Sequence, residues 1–205
     1  MKKILIASKN PGKIKEFKMF LKTLPIDIVS LSDVGITEDV LEDGETYKAN
    51  SIKKAIFYAR KANIPAIADD GGLEIAALNG EPGVKSRRWL GYEATDRELI
   101  EHLKKVSKKL PNNNRTAYFR TVVAFAFPNG KVFSQEGVVE GIITKKPEHK
   151  PLEGYPFRSF FYLPKIKKFY HEVDLTPKEE KEYNHRYIAV KRLLPKIKKE
   201  LSLNV

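Results

Sequence analysis

Cysteine is absent from the 205-residue chain, which excludes disulfides and thiolate metal sites. No apolar run approaches the roughly 20 residues that a membrane-spanning helix needs. The opening Met1-Lys2-Lys3-Ile4-Leu5-Ile6 is too short an apolar run for the central region of a signal peptide and reads as a buried first strand. Internal repeats, low-complexity tracts and an obvious interdomain linker are also missing. These absences lead to the expectation of a cytoplasmic protein with no membrane partner. Acidic residues are scarce in one half only. Residues 1–100 hold 16 Lys/Arg against 15 Asp/Glu, whereas residues 101–205 hold 22 against 11, so most of the net charge of +12 lies in the second half. A basic half suits a polyanionic ligand such as nucleic acid or a triphosphate. A solvated, lysine-rich surface of the kind heat-adapted proteins carry explains the same count. What is present is 41% hydrophobic residues, recurring along the whole length. That is enough for one sizeable core, or one core with a smaller lobe attached.

The periodicities give an order of elements. Ile4 to Ala7 is a strand, Ser8-Lys9-Asn10-Pro11-Gly12-Lys13 a turn, and Ile14, Phe17, Phe20 and Leu21 mark a helix. A short strand over 26–31, an acidic loop over 36–44 and a long helix over 46–62 follow. Pro65-Ala66-Ile67-Ala68 predicts a strand that ends at Asp69-Asp70-Gly71-Gly72, with a separate extended stretch from Leu73 to Leu78. A helix over about 96–110 has Thr95 as its N-cap and Glu98 in the capping-box position. Strands over 115–127 and 132–143 flank the turn Pro128-Asn129-Gly130-Lys131. Residues 177–201 read as helical. Alternating β and α elements, then antiparallel strands, then helix, predict an α/β fold with a mixed sheet.

Four groups of residues carry candidate chemistry. The turn at 8–13 joins a buried strand to a helix and presents backbone N–H groups and the positive helix end. Gly12 permits close approach, and Ser8, Lys9, Asn10 and Lys13 offer donors and charge. It reads either as a triphosphate cradle or as a plain Asn-Pro-Gly turn, and it lacks Walker spacing. Asp69-Asp70 beside an apolar strand reads as a site for a hard divalent cation or as an ordinary Asp-Gly turn. Glu42-Asp43-Gly44-Glu45-Thr46 supplies either helix capping by Thr46 or Asp43, or further metal-binding carboxylates. In the helix beyond it, Asn50 and Lys53 are three apart and can face a site together. His185-Arg186 suits contact with a base, ribose or phosphate, and equally a surface position.

In order along the chain, three stretches resemble the inosine/xanthosine triphosphate pyrophosphatase family. They are Ala7-Ser8-Lys9-Asn10-Pro11-Gly12-Lys13; Glu42-Asp43-Gly44-x-Thr46-x-x-x-Asn50-x-x-x-Lys54-Ala55; and Asp69-Asp70-Gly71-Gly72-Leu73-Glu74-Ile75 with Ala77-Leu78-Asn79-Gly80-x-Pro82-Gly83-Val84-x-Ser86-x-Arg88. The resemblance is strong over residues 1–90 and much weaker after about residue 145. It implies an elongated mixed β-sheet with two α/β lobes and a central cleft, one two-lobed domain over 1–205, and a homodimer. It further implies Mg²⁺-dependent cleavage of deaminated purine nucleoside triphosphates to monophosphate and pyrophosphate. By position, residues 8–13 match the triphosphate loop, with Pro11 among them, and Glu42 and Asp70 the metal-linked acids. Asp70 also matches the general base, Gly71 a position usually Ser or Ala, and Lys181, His185 and Arg186 the late basic elements. Tyr155, Pro156, Phe157 and Arg158 fall in the base-binding segment, where the family usually reads Gly-Phe-Gly-Tyr-Asp-Pro-x-Phe. Here Arg158 stands for the Asp, Ser159 for the Pro and Pro156 for a Gly. Asn184 stands for the Ser of Ser-His-Arg, and the gap from Lys181 to His185 is one residue short.

The mechanism these residues imply is metal-assisted attack of water at phosphorus, with Asp70 orienting or deprotonating the water. Asp70 and Glu42, with Asp69 or Glu45 as further candidates, hold Mg²⁺. Lys13, Lys53 and Arg186 offset the triphosphate charge. Two readings of Arg158 stand: it presents donors to the base, or it points to solvent and the pocket is built from backbone, Tyr155 and His185. The alternatives at the level of the molecule are the same hydrolysis on a different nucleotide, and a non-catalytic nucleic-acid-binding protein on this scaffold. The retained acids weigh against the second.

Overall fold

Side chains along a strand point alternately to the two faces of its sheet, and that alternation organises this molecule. The computed structural model describes residues 2–203. Met1, Asn204 and Val205, part of the span expected for the single domain, lie outside the described residues. β1 (Lys3–Ile6), β2 (Asp27–Ser30), β3 (Ala66–Ile75), β4 (Thr116–Ala126), β5 (Val132–Ile143), β6 (Phe161–Leu163) and β7 (Lys168–Phe169) form a seven-stranded sheet in the order β2-β1-β3-β4-β5-β6-β7. β1 pairs in parallel with β2 and β3, and β6 pairs antiparallel with β5 and β7. The sheet is mixed and the fold α/β, as the element order predicted. Among the described residues no helix is long and apolar enough to cross a membrane.

The chain divides into two compact units. The first comprises Met1–Asp70, Thr121–Gly137 and Arg186–Val205. One face of its strands sends Ile4, Ile6, Ile67, Val123 and Phe125 into a core with Phe17, Phe20 and Leu21 of α1 (Pro11–Leu21) and Ala189, Val190 and Leu193 of α5 (His185–Glu200). The opposite face sends Leu5, Ala7, Ala66, Ala68, Ala124 and Ala126 against Ala55, Tyr58 and Ala59 of α2 (Tyr47–Ala62). Thr46 caps α2, its hydroxyl accepting the Ala49 N–H at 3.1 Å. The strand side chains facing α2 are mostly alanines, and those facing α1 and α5 are mostly larger.

The second unit comprises Gly71–Arg120 and Val138–His185. It contains α3 (Asp96–Lys109), with the expected Thr95–Glu98 capping box, and α4 (Pro177–Glu182), with a second box between Thr176 and Glu179. Leu99, Leu103, Phe160, Phe161, Leu163 and Tyr170 are buried in it.

Three elements differ from expectation. β3 does not stop at Asp69-Asp70 but continues through both glycines to Ile75. A Cβ on Gly72 would lie 2.2 Å from Ser86 Oγ and 2.5 Å from the Gly83 carbonyl oxygen. Ser86 Oγ accepts the Leu73 N–H at 3.0 Å and donates to Gly83 at 2.6 Å. The glycine thus marks a close approach inside a strand, not a turn. The C-terminal helical stretch is two helices, because Tyr183 leaves helical geometry (φ −102°, ψ 9°) and α5 restarts at His185. Finally, β6 and β7 are too short to carry a readable alternation of their own.

Candidate functional site

The register of β1 and β3 builds the first part of the site. Leu5 and Ile6 pair with Ala66 and Ile67, and the Ala7 N–H donates to the Ile67 carbonyl at 2.8 Å. Two residues beyond the Ile6–Ile67 pair the chain reaches Ser8, just past β1, and Asp69, within β3. The segment 8–13 therefore leaves the carboxyl end of β1 beside the middle of β3, with Lys13 next to Asp69, and the ends of parallel strands are where α/β sheets bind ligands. Only Ser8, Lys9 and Asn10 lie outside the helix; Pro11, Gly12 and Lys13 form the first turn of α1. Asn10 is the N-cap, its side-chain carbonyl accepting the Lys13 N–H at 3.1 Å, and Ser8 Oγ accepts the Asn10 N–H at 3.2 Å. Lys9 is exposed and reaches away, to the Thr37 carbonyl at 2.7 Å and Asp39 at 2.8 Å.

Adjacency in a strand sends Asp69 and Asp70 to opposite faces. Asp69 follows Ile67 to the α1/α5 side. There Arg186 Nε donates to its Oδ2 at 2.9 Å, Lys13 Nζ lies 3.1 Å away, and Arg186 also pairs with Glu16 of α1. Burial alone pushes the Asp69 carboxyl up, but the charges of Arg186, Lys13 and Lys54 outweigh it and hold the group well below the usual carboxylate range. Lys13 is shifted down, chiefly by its own burial, against the pull of Asp69.

Asp70 follows Ala68 to the α2 side. Asn50 Nδ2 donates to its Oδ2 at 2.9 Å, and Thr121 Oγ1 donates to its backbone carbonyl at 2.9 Å. The same Asn50 carboxamide accepts the Gly44 N–H at 2.7 Å, so one side chain ties the acidic loop to the strand. A Cβ on Gly44 would sit 2.6 Å from Asn50 Oδ1 and 2.9 Å from the Ala49 Cβ, which is why this position takes glycine. Lys54, four residues after Asn50 and thus on the same helix face, pairs with Glu42 at 2.6 Å. Its own desolvation lowers its pKa, but Asp70, Glu42 and Asp69 together raise it. Asp70 is shifted upward, mostly by burial and further by Glu42, against the opposing charges of Lys54 and Lys13.

Lys53, expected to face the site with Asn50, lies instead on the exposed side of α2 with Asp43 at 2.6 Å. The buried stripe of α2 runs Tyr47, Asn50, Ser51, Lys54, Ala55, Tyr58, Ala59. Its 3.6-residue period was the signal that points to Lys54. Thr121 carried a similar signal, since it shares its strand face with Val123 and Phe125. Glu16 carried none.

The ion-pair network around β3 sets the carboxylates of Glu16, Glu42, Asp69 and Asp70 against the cations of Lys13, Lys54 and Arg186. Among the described residues no group of three or more His, Asp or Glu is arranged as a metal cage. On the α2 side the charge of Glu42 raises the Asp70 pKa, and two carboxylates are oxygen donors of the kind a hard divalent cation takes together with substrate phosphates and water.

The second unit holds the remaining candidates. Pro156 and Phe157 are buried. Arg158 does not point to solvent: it is 3% exposed, its guanidinium 3.9 Å from the Tyr155 ring centre and 4.4 Å from that of Tyr170. His185 is buried and stacked on Phe119 with centroids 5.2 Å apart. Gly71 is an interior position of β3, and Lys181 is exposed in the last turn of α4. Arg186 belongs to the first unit, in the Asp69 network above.

Residues 4–196 match the Ham1 family. A Bacillus subtilis protein named dITP/XTP pyrophosphatase is 38% identical over 193 residues, covering 94% of this chain and 96% of its own. One of the same name from Thermus thermophilus is 38% identical over 192 residues, covering 94% and 90%. Among solved structures, a HAM1 protein from Coxiella burnetii is 33% identical with a TM-score of 0.82, covering 97% of this chain and 100% of that one. The Staphylococcus aureus Ham1 protein is 32% identical with a TM-score of 0.80 and the same coverage.

Proposed function

The chain belongs to the Ham1 family, and from that membership we propose that it hydrolyses deaminated purine nucleoside triphosphates (ITP, dITP and XTP) to the monophosphate and pyrophosphate. The observation that carries the reading is the Glu42–Lys54–Asp70 arrangement. The buried Lys54 pairs with Glu42 and feels the charge of Asp70, while burial, with Glu42, leaves Asp70 more basic than an ordinary aspartate.

In this reading Lys13 and Lys54 leave their carboxylate partners for phosphate oxygens when a triphosphate enters. The helix end at Asn10–Lys13 adds its N–H dipoles. Asp70 accepts the proton of the water that attacks at phosphorus in the α–β anhydride. The P–O bond to the leaving pyrophosphate breaks, and the cationic side chains offset the charge that builds there. Glu42 and Asp70 would hold Mg²⁺, which supplies Lewis-acid polarisation of phosphate oxygens. Asn50 keeps the Glu42 loop and Asp70 in fixed relation. Arg186 acts from below, neutralising Asp69 and Glu16 so that the acid pair can be buried at all. His185, Tyr155 and the segment through Arg158 serve the base.

We also read the two units as lobes of one domain, since β3, β4 and β5 each run from one unit into the other. A homodimer, expected from the resemblance, is checked by light scattering. The test of the activity is a screen of ITP, dITP, XTP, ATP and GTP with Mg²⁺ and pyrophosphate detection. Preferential pyrophosphate release from the deaminated purines is expected; phosphate release instead, or preference for ATP, would overturn the assignment.

A further inference from the structure

Residues 144–157 run from the end of β5 to the 3₁₀ turn Arg158–Phe160 without a helix or strand, so contacts from elsewhere in the second unit must take up their backbone polar groups. The Glu148 N–H donates to the Ser159 carbonyl at 3.1 Å, and His171 Nε2 donates to the Lys150 carbonyl at 3.0 Å. The last part of the segment is fastened by a carboxylate. The Gly154 N–H donates to Asp96 Oδ2 at 2.6 Å, and the other oxygen of Asp96 pairs with Arg87. Asp96 is the first residue of α3, where the helix dipole favours an anion. Gly154 has φ +78°, the left-handed conformation that side chains rarely adopt, and it is in this conformation that its N–H meets the carboxylate. Directly after it the Tyr155 N–H donates to the Leu152 carbonyl at 3.0 Å. Phe157 meets Trp89 edge-on at 6.0 Å and 81°, and Trp89 in turn meets His102 of α3.

We propose that Asp96 is a positioning residue. By latching the Gly154 turn to the start of α3 it sets where Tyr155 to Arg158 stand. It thereby controls affinity for the nucleoside and not for the phosphate chain, whose candidate ligands Lys13 and Lys54 belong to the first unit. The inference rests on the activity proposed above and on its assignment of this segment to the base. A carboxylate makes a stronger hydrogen bond to a backbone N–H than a neutral acceptor does. Arg87 holds that carboxylate in one orientation, because the guanidinium engages Oδ1 while Oδ2 receives the loop. The chain beyond has little slack. Three residues after Gly154, Phe157 is buried against Trp89, and the Tyr155 ring centre lies 3.9 Å from the Arg158 guanidinium. A displaced Gly154 therefore carries Tyr155 with it. The start of α3 does not depend on Asp96, since Thr95 and Glu98 form its capping box. Removing the Asp96 carboxylate should thus free the loop and leave the helix capped.

The test pairs amide hydrogen exchange of the full-length protein, read by NMR, with kinetics. The Gly154 amide should exchange about tenfold faster in Asp96→Ala than in wild type, the scale of one charge-assisted hydrogen bond. The KM for ITP should rise about tenfold in the same variant, with kcat little changed. Inhibition by inorganic tripolyphosphate, a probe that has no base, should stay as in wild type. Asp96→Asn keeps a carbonyl oxygen for the Gly154 N–H and should restore most of the protection and most of the affinity. Arg87→Met should loosen the Gly154 amide in the same direction but less than Asp96→Ala. Equal exchange of the Gly154 amide in wild type and Asp96→Ala overturns the latch. A loosened amide with an unchanged KM for ITP overturns its link to the nucleoside. A parallel loss of tripolyphosphate inhibition overturns the positioning role, because a general loosening of the fold then accounts for both. Absence of ITP hydrolysis by the wild type would overturn the activity while leaving the exchange result to stand.

Discussion

Asp69 and Asp70 share a peptide bond and little else. Asp69 is held ionised by Arg186, Lys13 and Lys54 against the cost of its burial, whereas Asp70 is made more basic by burial and by Glu42. A carboxylate kept strongly acidic is a poor proton acceptor, so only Asp70 has the basicity for proton transfer. Asp70→Asn keeps the shape and the contact with Asn50, and should lower turnover about 10²–10⁴-fold with an unchanged circular dichroism spectrum. Near-normal turnover would remove Asp70 from the chemistry. The sign for Lys54 follows from the same charges. Its ammonium lowers the Asp70 pKa, so Lys54→Met should move the acidic limb of the kcat/KM profile to higher pH. A limb that stays put, or shifts to lower pH, would show that Lys54 does not act on the base.

Between elements, Arg186 joins α5 to β3 through Asp69 and to α1 through Glu16, with both acids buried. Removing one partner from a buried ion pair leaves charge without compensation and typically costs about 3–5 kcal/mol. Arg186→Met should therefore lower stability on that scale in urea unfolding, beyond any effect on triphosphate affinity. A variant as stable as wild type but weak in binding would make Arg186 a phosphate ligand first. Gly44 governs a second junction, between the acidic loop and α2. In Gly44→Ala the new methyl collides with Asn50 Oδ1 and the Ala49 Cβ. The loop that carries Glu42 must then shift, and turnover should fall by up to about 10²-fold, the cost of small misplacements in a preorganised site, with the melting temperature much less affected. Wild-type turnover in that variant would show that the loop adapts freely.

For the molecule as a whole, the opposite shifts of the two acids shape stability against pH. Asp69 has a folded pKa below its unfolded one. Its contribution is present above the ordinary aspartate value and is lost as pH falls from there toward the folded pKa. Asp70, shifted the other way, works against folding once pH rises through its folded pKa. The drop in urea midpoint between about pH 6 and about pH 3 should thus be smaller in Asp69→Asn than in wild type. An equal drop would mean that other carboxylates govern acid unfolding. Ligand linkage gives a further check: a cation that binds only the folded chain raises its melting temperature. Mg²⁺ should raise it in wild type and raise it less in Glu42→Gln; equal rises would place the cation elsewhere.

Much of this was legible in the sequence because it rests on short-range rules. Asn-Pro-Gly marked the turn out of the apolar first strand, although α1 begins at Pro11, inside the segment read as turn; Thr95 with Glu98 gave a capping box, and Pro128-Asn129-Gly130-Lys131 the turn between β4 and β5. The mixed α/β class followed from the alternation of periods, and the family from three spaced motifs. Which lysine of Lys53-Lys54 turns inward depends on the helix face buried against the sheet, and pairing Asn50 with its i+3 neighbour picked the exposed one. The course of β3 through Gly71 and Gly72 depends on Ser86, a residue distant in sequence that fills the space a Cβ would need. The separate fates of Asp69 and Asp70 depend on Arg186, over a hundred positions away. Arg158 is the clearest case. Its charge and donors are properties of the residue, but only tertiary packing against the rings of Tyr155 and Tyr170 decided that it is buried with a donor on the Tyr170 hydroxyl. Sequence alone determined what each group can do chemically; the long-range contacts decided which partner it does it to, because burial and charge pairing are set by residues that meet only when the chain has folded.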